Sequence, residues 1–344
     1  MTYSQIYREG TEILSGADIA EAALDSRLLL EFICKTDRNT LYVNPDMPVS
    51  DNDYEEFLRL IKLRATHVPL AHIVGTRDFM GLTFKVNEHV LIPRQDTEIL
   101  VEEAMRYTFD GMKVLDICTG SGCIILSLMH YKNNLDAVGI DISEAALAVA
   151  KENAKLLLEP QRGQIAFYQG DLYEALPTPG HGDGDTVPHT GHGDGDTVPR
   201  IRHGDGDSVP HTGHGDGDTV SNTGHGDGDT VSHTGHGDGD SVLKFDVIVS
   251  NPPYIRDDVI QTLMPEVRDF DPYIALSGGG DGLDFYRKII EGAPKYLVKE
   301  GRIFLEIGHD QAADVAKLLE DAGFSDICIV KDYAGLDRVA CAKL

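Results

Sequence analysis

From Asp96 onward the chain alternates between segments patterned as helix and segments patterned as strand, and an alternation of that kind admits few folds. Apolar residues recur at helical spacing over 97–105 and 123–129, and Ser143 is placed to cap a third helix that runs to about Leu158. Between them lie short apolar runs of strand length at 113–117, 137–141 and 164–168. Next come a strand at 245–250, a helix over 283–297, a strand over 301–306, a helix over 311–322, and closing strands at 327–331 and 338–342. Strands separated by helices pair in parallel, and the helices cover both faces of the sheet. The expected fold class is therefore α/β, with a doubly wound parallel sheet.

Residues 179–242 break this order. The unit His-Gly-Asp-Gly-Asp begins at His181 and recurs every eleven residues, at His192, His203, His214, His225 and His236. Seventeen of the 36 glycines fall here, and each unit has one Val as its main apolar residue. Such a segment cannot bury enough surface to offset the entropy of ordering, so it reads as a disordered low-complexity insertion in a surface loop. Nine of the fourteen histidines and twelve aspartates also lie in it, which leaves divalent metal binding open as a second reading.

The stretch before Asp96 has another character. Residues 1–76 read as a small helical bundle: Ser50 caps a helix with Asp51 and Asp53 in its first turn, and Tyr54, Phe57, Leu58 and Ile61 share one face. Residues 77–93 change to short strand-like pieces with turn positions at Gly81 and Asn87, a hairpin linker that Pro93 closes. The expected division is thus a bundle at 1–76, a linker at 77–93, and a main domain at 94–344 interrupted by 179–242.

Four strand ends carry residues suited to chemistry. The run Asp116-Ile117-Cys118-Thr119-Gly120-Ser121-Gly122 leaves the first strand of the sheet and enters a helix. Its glycines allow a tight turn and close approach of a ligand, and the helix start offers free N–H groups. Ile125 stands where a dinucleotide-binding loop wants Gly or Ala, and no Gly-Lys-Ser/Thr follows, so neither a dinucleotide loop nor a P-loop fits. A nucleoside held at its ribose remains. Asp141 ends the second strand, where a carboxylate can accept from both ribose hydroxyls, and Asp171, just past the third strand, can accept from an adenine amino group. Taken alone, Asp141 also reads as a helix-capping residue. After the apolar strand 245–250 comes Asn251-Pro252-Pro253-Tyr254. Two prolines cannot continue a sheet, so the carbonyls there lack ladder partners and, with the Asn side chain, form a rigid corner of acceptors for a planar NH2 group. An ordinary strand-ending turn is the alternative.

The order of these motifs resembles the HemK/PrmC family, class I S-adenosylmethionine-dependent methyltransferases that modify a glutamine of peptide-chain release factors. The resemblance covers all of the chain except 179–242. It rests also on Val68-Pro-Leu-Ala-His-Ile-Val-Gly75, on Leu91-Ile-Pro-Arg-Gln-Asp-Thr-Glu98 and on Gly279-Gly-Asp-Gly-Leu-Asp-Phe-Tyr-Arg287. It implies a Rossmann-like methyltransferase sheet that uses S-adenosylmethionine. Cys118, Thr119, Gly120, Ser121 and Gly122 would then cradle its methionine part, Asp141 its ribose, and Asp171 with Leu172 its adenine. Asn251 would stand beside the reacting methyl. Asn251, Pro252, Pro253 and Tyr254 would receive the glutamine, with Asn251, Pro252 and Tyr254 carrying the catalysis and no metal taking part. The front bundle would dock class 1 release factors. Three departures stand out: Cys118 replaces a usual Gly, Gln95 a usual Pro, and Leu172 a position often aromatic.

Charge bears on the rivals. The formal net charge is -27, of which ten negative charges belong to 179–242. An acidic chain is a poor partner for long nucleic acid, which argues against an adenine amino methyltransferase, the enzyme class that shares the Asn-Pro-Pro-Tyr corner. A protein acting through its His/Asp/Gly repeats, with an idle methyltransferase fold, is the rival of another class. Five cysteines without a CxxC pair or framework spacing, no apolar leader and no membrane-length apolar run fit a reduced cytoplasmic protein.

Overall fold

The computed structural model describes residues 1–159, 162–177, 185–186 and 242–344. The expected disordered insertion lies outside the described residues except at Asp185, Thr186 and Val242.

Five helices make the front bundle: α1 (Tyr3–Gly16), α2 (Ala22–Cys34), α3 (Arg38–Val43), α4 (Asp51–Arg64) and α5 (Leu70–Val74). As expected, the Ser50 hydroxyl accepts from the Asp53 N–H at the start of α4, at 3.1 Å. Ile6, Leu14, Leu29, Phe57 and Ile61 close the core between α1, α2 and α4. A Cβ on Gly10 would stand 2.5 Å from Ser26 Oγ and 2.6 Å from the Phe57 ring, so α1 can pack this closely only with glycine there. Strands β1 (Thr76–Phe79) and β2 (Leu82–Lys85) pair antiparallel, Thr76 opposite Lys85, and form the expected hairpin.

The main sheet takes β3 (Lys113–Ile117), β4 (Leu135–Asp141), β5 (Gly163–Gln169), β6 (Asp185–Thr186), β7 (Phe245–Ser250), β8 (Leu297–Glu306), β9 (Ser325–Lys331) and β10 (Asp337–Lys343). Their order is β6-β5-β4-β3-β7-β8-β10-β9. The five strands from β5 to β8 are parallel, while β6, β9 and β10 run antiparallel to their neighbours. Helices α6 (Asp96–Tyr107), α7 (Cys123–Tyr131) and α8 (Glu144–Leu157) cover one face, and α12 (Asp284–Tyr296) and α13 (Ala312–Asp321) the other. Strand alternation divides the side chains: Val114 of β3 belongs to the first layer, Leu115 and Ile117 to the second.

Two features exceed the sequence reading. β8 begins at Leu297 rather than 301, and three helices of four residues each, α9 (Asp257–Ile260), α10 (Pro265–Arg268) and α11 (Tyr273–Leu276), fill the connection after β7. Helices this short carry no periodicity to read.

Cys328 and Cys341, for which the sequence shows no pair spacing, stand opposite each other on β9 and β10 with Cα atoms 5.2 Å apart, within reach of a disulfide. Strand register brings them together, which their thirteen-residue separation conceals. Among the described residues no helix is long and apolar enough to cross a membrane.

Candidate active site

The chain visits β3, β4 and β5 in one direction along the sheet, then returns to the other side of β3 for β7 and β8. A crevice opens outside the carboxyl ends of the strands at such a reversal. Register sets what lines it. Ile117 pairs with Ser250 on one side and with Ile140 on the other, so Cys118, Asn251 and Asp141 leave three adjacent strands at one level. All three line a cavity of about 230 Å³.

The loop after β3 is held from below. Thr119 Oγ1 donates to Asp116 Oδ2 at 2.6 Å, and the Thr119 N–H donates to the Ile140 carbonyl. Asp116 is fully buried, its second oxygen has no partner among the described residues, and burial pushes its carboxyl up to about 7. Gly120 turns through φ +55°, and a Cβ there would meet nothing within 4 Å, so its surface is open toward a ligand. Gly122, at φ +79°, does not line the cavity; a Cβ on it would lie 3.0 Å from Leu126 and 3.3 Å from Ala150, so this glycine lets α7 pack against α8. Ser121 is buried in the cavity wall, and among the described residues its hydroxyl has no partner at hydrogen-bond geometry.

Cys118 stands at φ +60°. Left-handed backbone costs an L-residue about 1 kcal/mol or more, a physical reason for glycine to be usual there. Burial, then the Asp141 charge, push its thiol well above the ordinary range, which keeps it neutral.

Asp141 receives the Gly120 N–H on Oδ2 at 2.8 Å and the Ser143 N–H on Oδ1 at 2.9 Å. Burial raises its pKa, and those two donors oppose the rise. Each oxygen keeps a further lone pair, so two hydroxyls can still be accepted. Asp171 lies on the exposed rim with Lys288 Nζ 3.7 Å away, and Leu172, buried at φ +50°, forms the wall beside it.

At the corner after β7, Asn251 and Pro253 line the cavity, whereas Pro252 and Tyr254 do not. Pro252 is buried, and among the described residues its carbonyl accepts no backbone hydrogen bond. The Tyr254 ring packs, partly buried, on the core layer under α12, and its phenol donates to Glu306 Oε1 at 3.2 Å. Asn251 Nδ2 donates to Thr97 Oγ1 at 3.3 Å.

Several lining residues were not singled out from sequence. Thr97 and Arg94 come from the motif at 91–98, and Phe285 and Lys288 from the motif at 279–287 or just past it. Arg94 also pairs with the buried Asp271 just before α11 and so ties that segment to the cavity wall. Burial raises the Asp271 pKa and the Arg94 charge opposes the rise.

Comparison with known proteins now bears on this site. Residues 5–75 match the PrmC N-terminal domain model, and residues 108–182 match a methyltransferase domain model. A release factor glutamine methyltransferase of Clostridium botulinum is 32% identical over 100% of this chain and 99% of its own length. The chain belongs to the release factor glutamine methyltransferase family. Another member, from Clostridium acetobutylicum, is 36% identical over 92% of this chain and 90% of its own. A solved release factor-specific protein-(glutamine-N5) methyltransferase from Alicyclobacillus acidocaldarius covers 76% of this chain and 98% of its own at 25% identity; its TM-score, 0.35, is too low to decide function. For a methyltransferase of this family, the crevice at the reversal of strand order is the candidate active site.

Proposed function

We propose that the chain transfers a methyl group from S-adenosylmethionine to the side-chain amide nitrogen of a glutamine in class 1 peptide-chain release factors. The supporting observation is Asn251. It lines the cavity at a strand end, its NH2 group is occupied by Thr97, and its Oδ1 is therefore the atom left to accept.

The residues present suit the cofactor. Open space above Gly120, a buried Ser121 hydroxyl with no hydrogen-bond partner among the described residues, and the Asp141 carboxylate one strand away offer room and polar partners for an aminoacyl nucleoside. Thr119, Gly120 and Ser121 would hold its methionine part, Asp141 its ribose, and Asp171, Leu172 and Phe285 would frame its base. Bound there, it supplies an electrophilic methyl group.

The protein's part is to make a poor nucleophile react. The lone pair of a glutamine NH2 is delocalised into its carbonyl. Asn251 Oδ1 and the Pro252 carbonyl would each accept one of its protons, fixing the nitrogen about 3 Å from the methyl carbon and favouring the positive charge that grows on it. Neither acceptor needs to titrate. The surplus proton leaves to solvent after transfer.

The division into a bundle at 1–76, a linker at 77–93 and a catalytic domain at 94–344 belongs to this reading, with the bundle as the docking surface for the release factor. Glu266 of α10 accepts from Arg64 Nη2 at 3.2 Å and lies 3.1 Å from His67 Nδ1, contacts that tie the bundle to the catalytic domain. Mass spectrometry of a release factor incubated with the protein and labelled S-adenosylmethionine tests the proposal. A glutamine that gains one methyl group supports it, and an unmodified factor refutes it.

A further inference from the structure

Asn251 can serve as an acceptor only in one of the two orientations of its amide. Rotating the group by half a turn exchanges Oδ1 for Nδ2, which changes its shape little and its chemistry entirely. Something must select the orientation.

The selection is made behind the cavity wall. Thr97, in the first turn of α6, is 2% exposed, and its hydroxyl oxygen receives the Asn251 NH2. A hydroxyl has a single proton. If that proton points at Asn251, it calls for Oδ1; if it points elsewhere, the Thr97 oxygen calls for the NH2. The carboxyl of Glu306, 2% exposed at the end of β8, lies close enough to Thr97 for the two groups to interact. Glu306 Oε1 already takes the Tyr254 phenol, and among the described residues Oε2 has no hydrogen-bond partner. A buried carboxylate in need of donors draws the Thr97 proton toward itself. Thr97 then presents only lone pairs to Asn251, whose NH2 must face it.

We propose that Glu306 and Thr97 are positioning residues that fix the Asn251 amide with Oδ1 toward the acceptor glutamine, and so let the site tell a glutamine from a glutamate. This rests on Asn251 being the residue that accepts from the substrate NH2. Glutamate offers an oxygen where glutamine offers NH2, and Oδ1 of the fixed amide repels it. A rotated Asn251 would instead donate to that oxygen.

The test uses the full chain and two release factors, one natural and one with the methylated glutamine changed to glutamate. Thr97→Val keeps the shape of the side chain and removes the hydroxyl; Thr97→Ser keeps the hydroxyl. The expected result for Thr97→Val is a fall in kcat of about 10²-fold, with S-adenosylmethionine affinity within a few-fold of wild type. Its preference for the glutamine over the glutamate factor, read as a ratio of Kd values, should fall about tenfold, as expected for exchanging a hydrogen bond for a repulsion. Thr97→Ser should restore both. Glu306→Gln, whose amide no longer compels the Thr97 proton, should lower the same ratio and serves if Thr97→Val does not fold. A structural defect alone would not alter the ratio. Unchanged kcat and ratio in Thr97→Val, or no rescue by serine, overturns the proposal. Asn251→Ala separates the two layers: if it still methylates, the reading of Asn251 itself fails, whereas an inactive Asn251→Ala beside a normal Thr97→Val refutes only the positioning.

Discussion

Tyr254 donates its phenol proton to Glu306 at 3.2 Å, so the aromatic residue of the Asn-Pro-Pro-Tyr corner is anchored in the core and not in the cavity. The corner is thereby held at both ends: Asn251 by Thr97 on α6, and Tyr254 by Glu306 on β8. In the proposed reading, Asn251 serves the chemistry and Tyr254 the rigidity of the corner.

Tyr254→Phe should therefore be milder than its place in the motif suggests. It leaves Glu306 with one donor fewer while the ring stays packed, and should cost about 1–3 kcal/mol of stability. Chemical denaturation checks the stability loss, and single-turnover methylation should show a smaller loss of rate than Asn251→Ala.

Cys118 sits where glycine is at ease. Cys118→Gly removes left-handed strain but gives the unfolded chain more freedom, two effects of about 1 kcal/mol and opposite sign, so stability should barely move. Cys118→Val, branched at Cβ and held at positive φ, should lose about 2 kcal/mol. Denaturant midpoints of the three proteins decide this.

Asp116 gives a pH dependence with a definite sign. Its folded-state pKa is raised to about 7, so the folded protein holds that proton more tightly than the unfolded chain. The associated stability is complete below the ordinary carboxylate value near 4 and is lost as pH rises to about 7. Asp116→Asn removes the titration. Relative to the wild type it should gain stability steadily from pH 4 to 7, by about 4 kcal/mol at most at roughly 1.4 kcal/mol per pH unit, and no further above. Denaturation curves across that range show whether the difference grows with pH, as expected, or stays flat.

Arg64 pairs with Asp25 inside the front bundle at 2.7 Å, both side chains being under a tenth exposed, and also reaches Glu266. Arg64→Leu strands a buried carboxylate and should cost about 3–5 kcal/mol. Replacing Asp25 by Asn in the same protein should recover part of that loss, as seen in denaturant midpoints.

Much of this could be read in the sequence because it depends on local order. Strand and helix periods between 97 and 168 survive as β3 to β5 and α6 to α8, and the Gly loop, Asp141 and Asn251 emerge at neighbouring strand ends, where parallel register puts them. Contacts that depend on the third dimension were not legible. Thr97 meets Asn251 across 154 positions of sequence, and Arg94 meets Asp271 across 177. Neither the direction of the Tyr254 ring nor the pairing of Cys328 with Cys341 leaves a spacing that a sequence reader can see. The positive φ of Cys118 was half visible, as a residue standing where glycine is usual.

The central claim is that the corner at Asn251 delivers a glutamine amide for methylation. Tandem mass spectrometry of a class 1 release factor, incubated with labelled S-adenosylmethionine and either the wild-type protein or Asn251→Ala, tests it most directly. The account predicts one methyl on a single glutamine side-chain nitrogen with the wild type and a loss of at least about 10²-fold in its rate with the variant, cofactor binding being retained. Methylation at a residue other than glutamine, or equal labelling by both proteins, would contradict it.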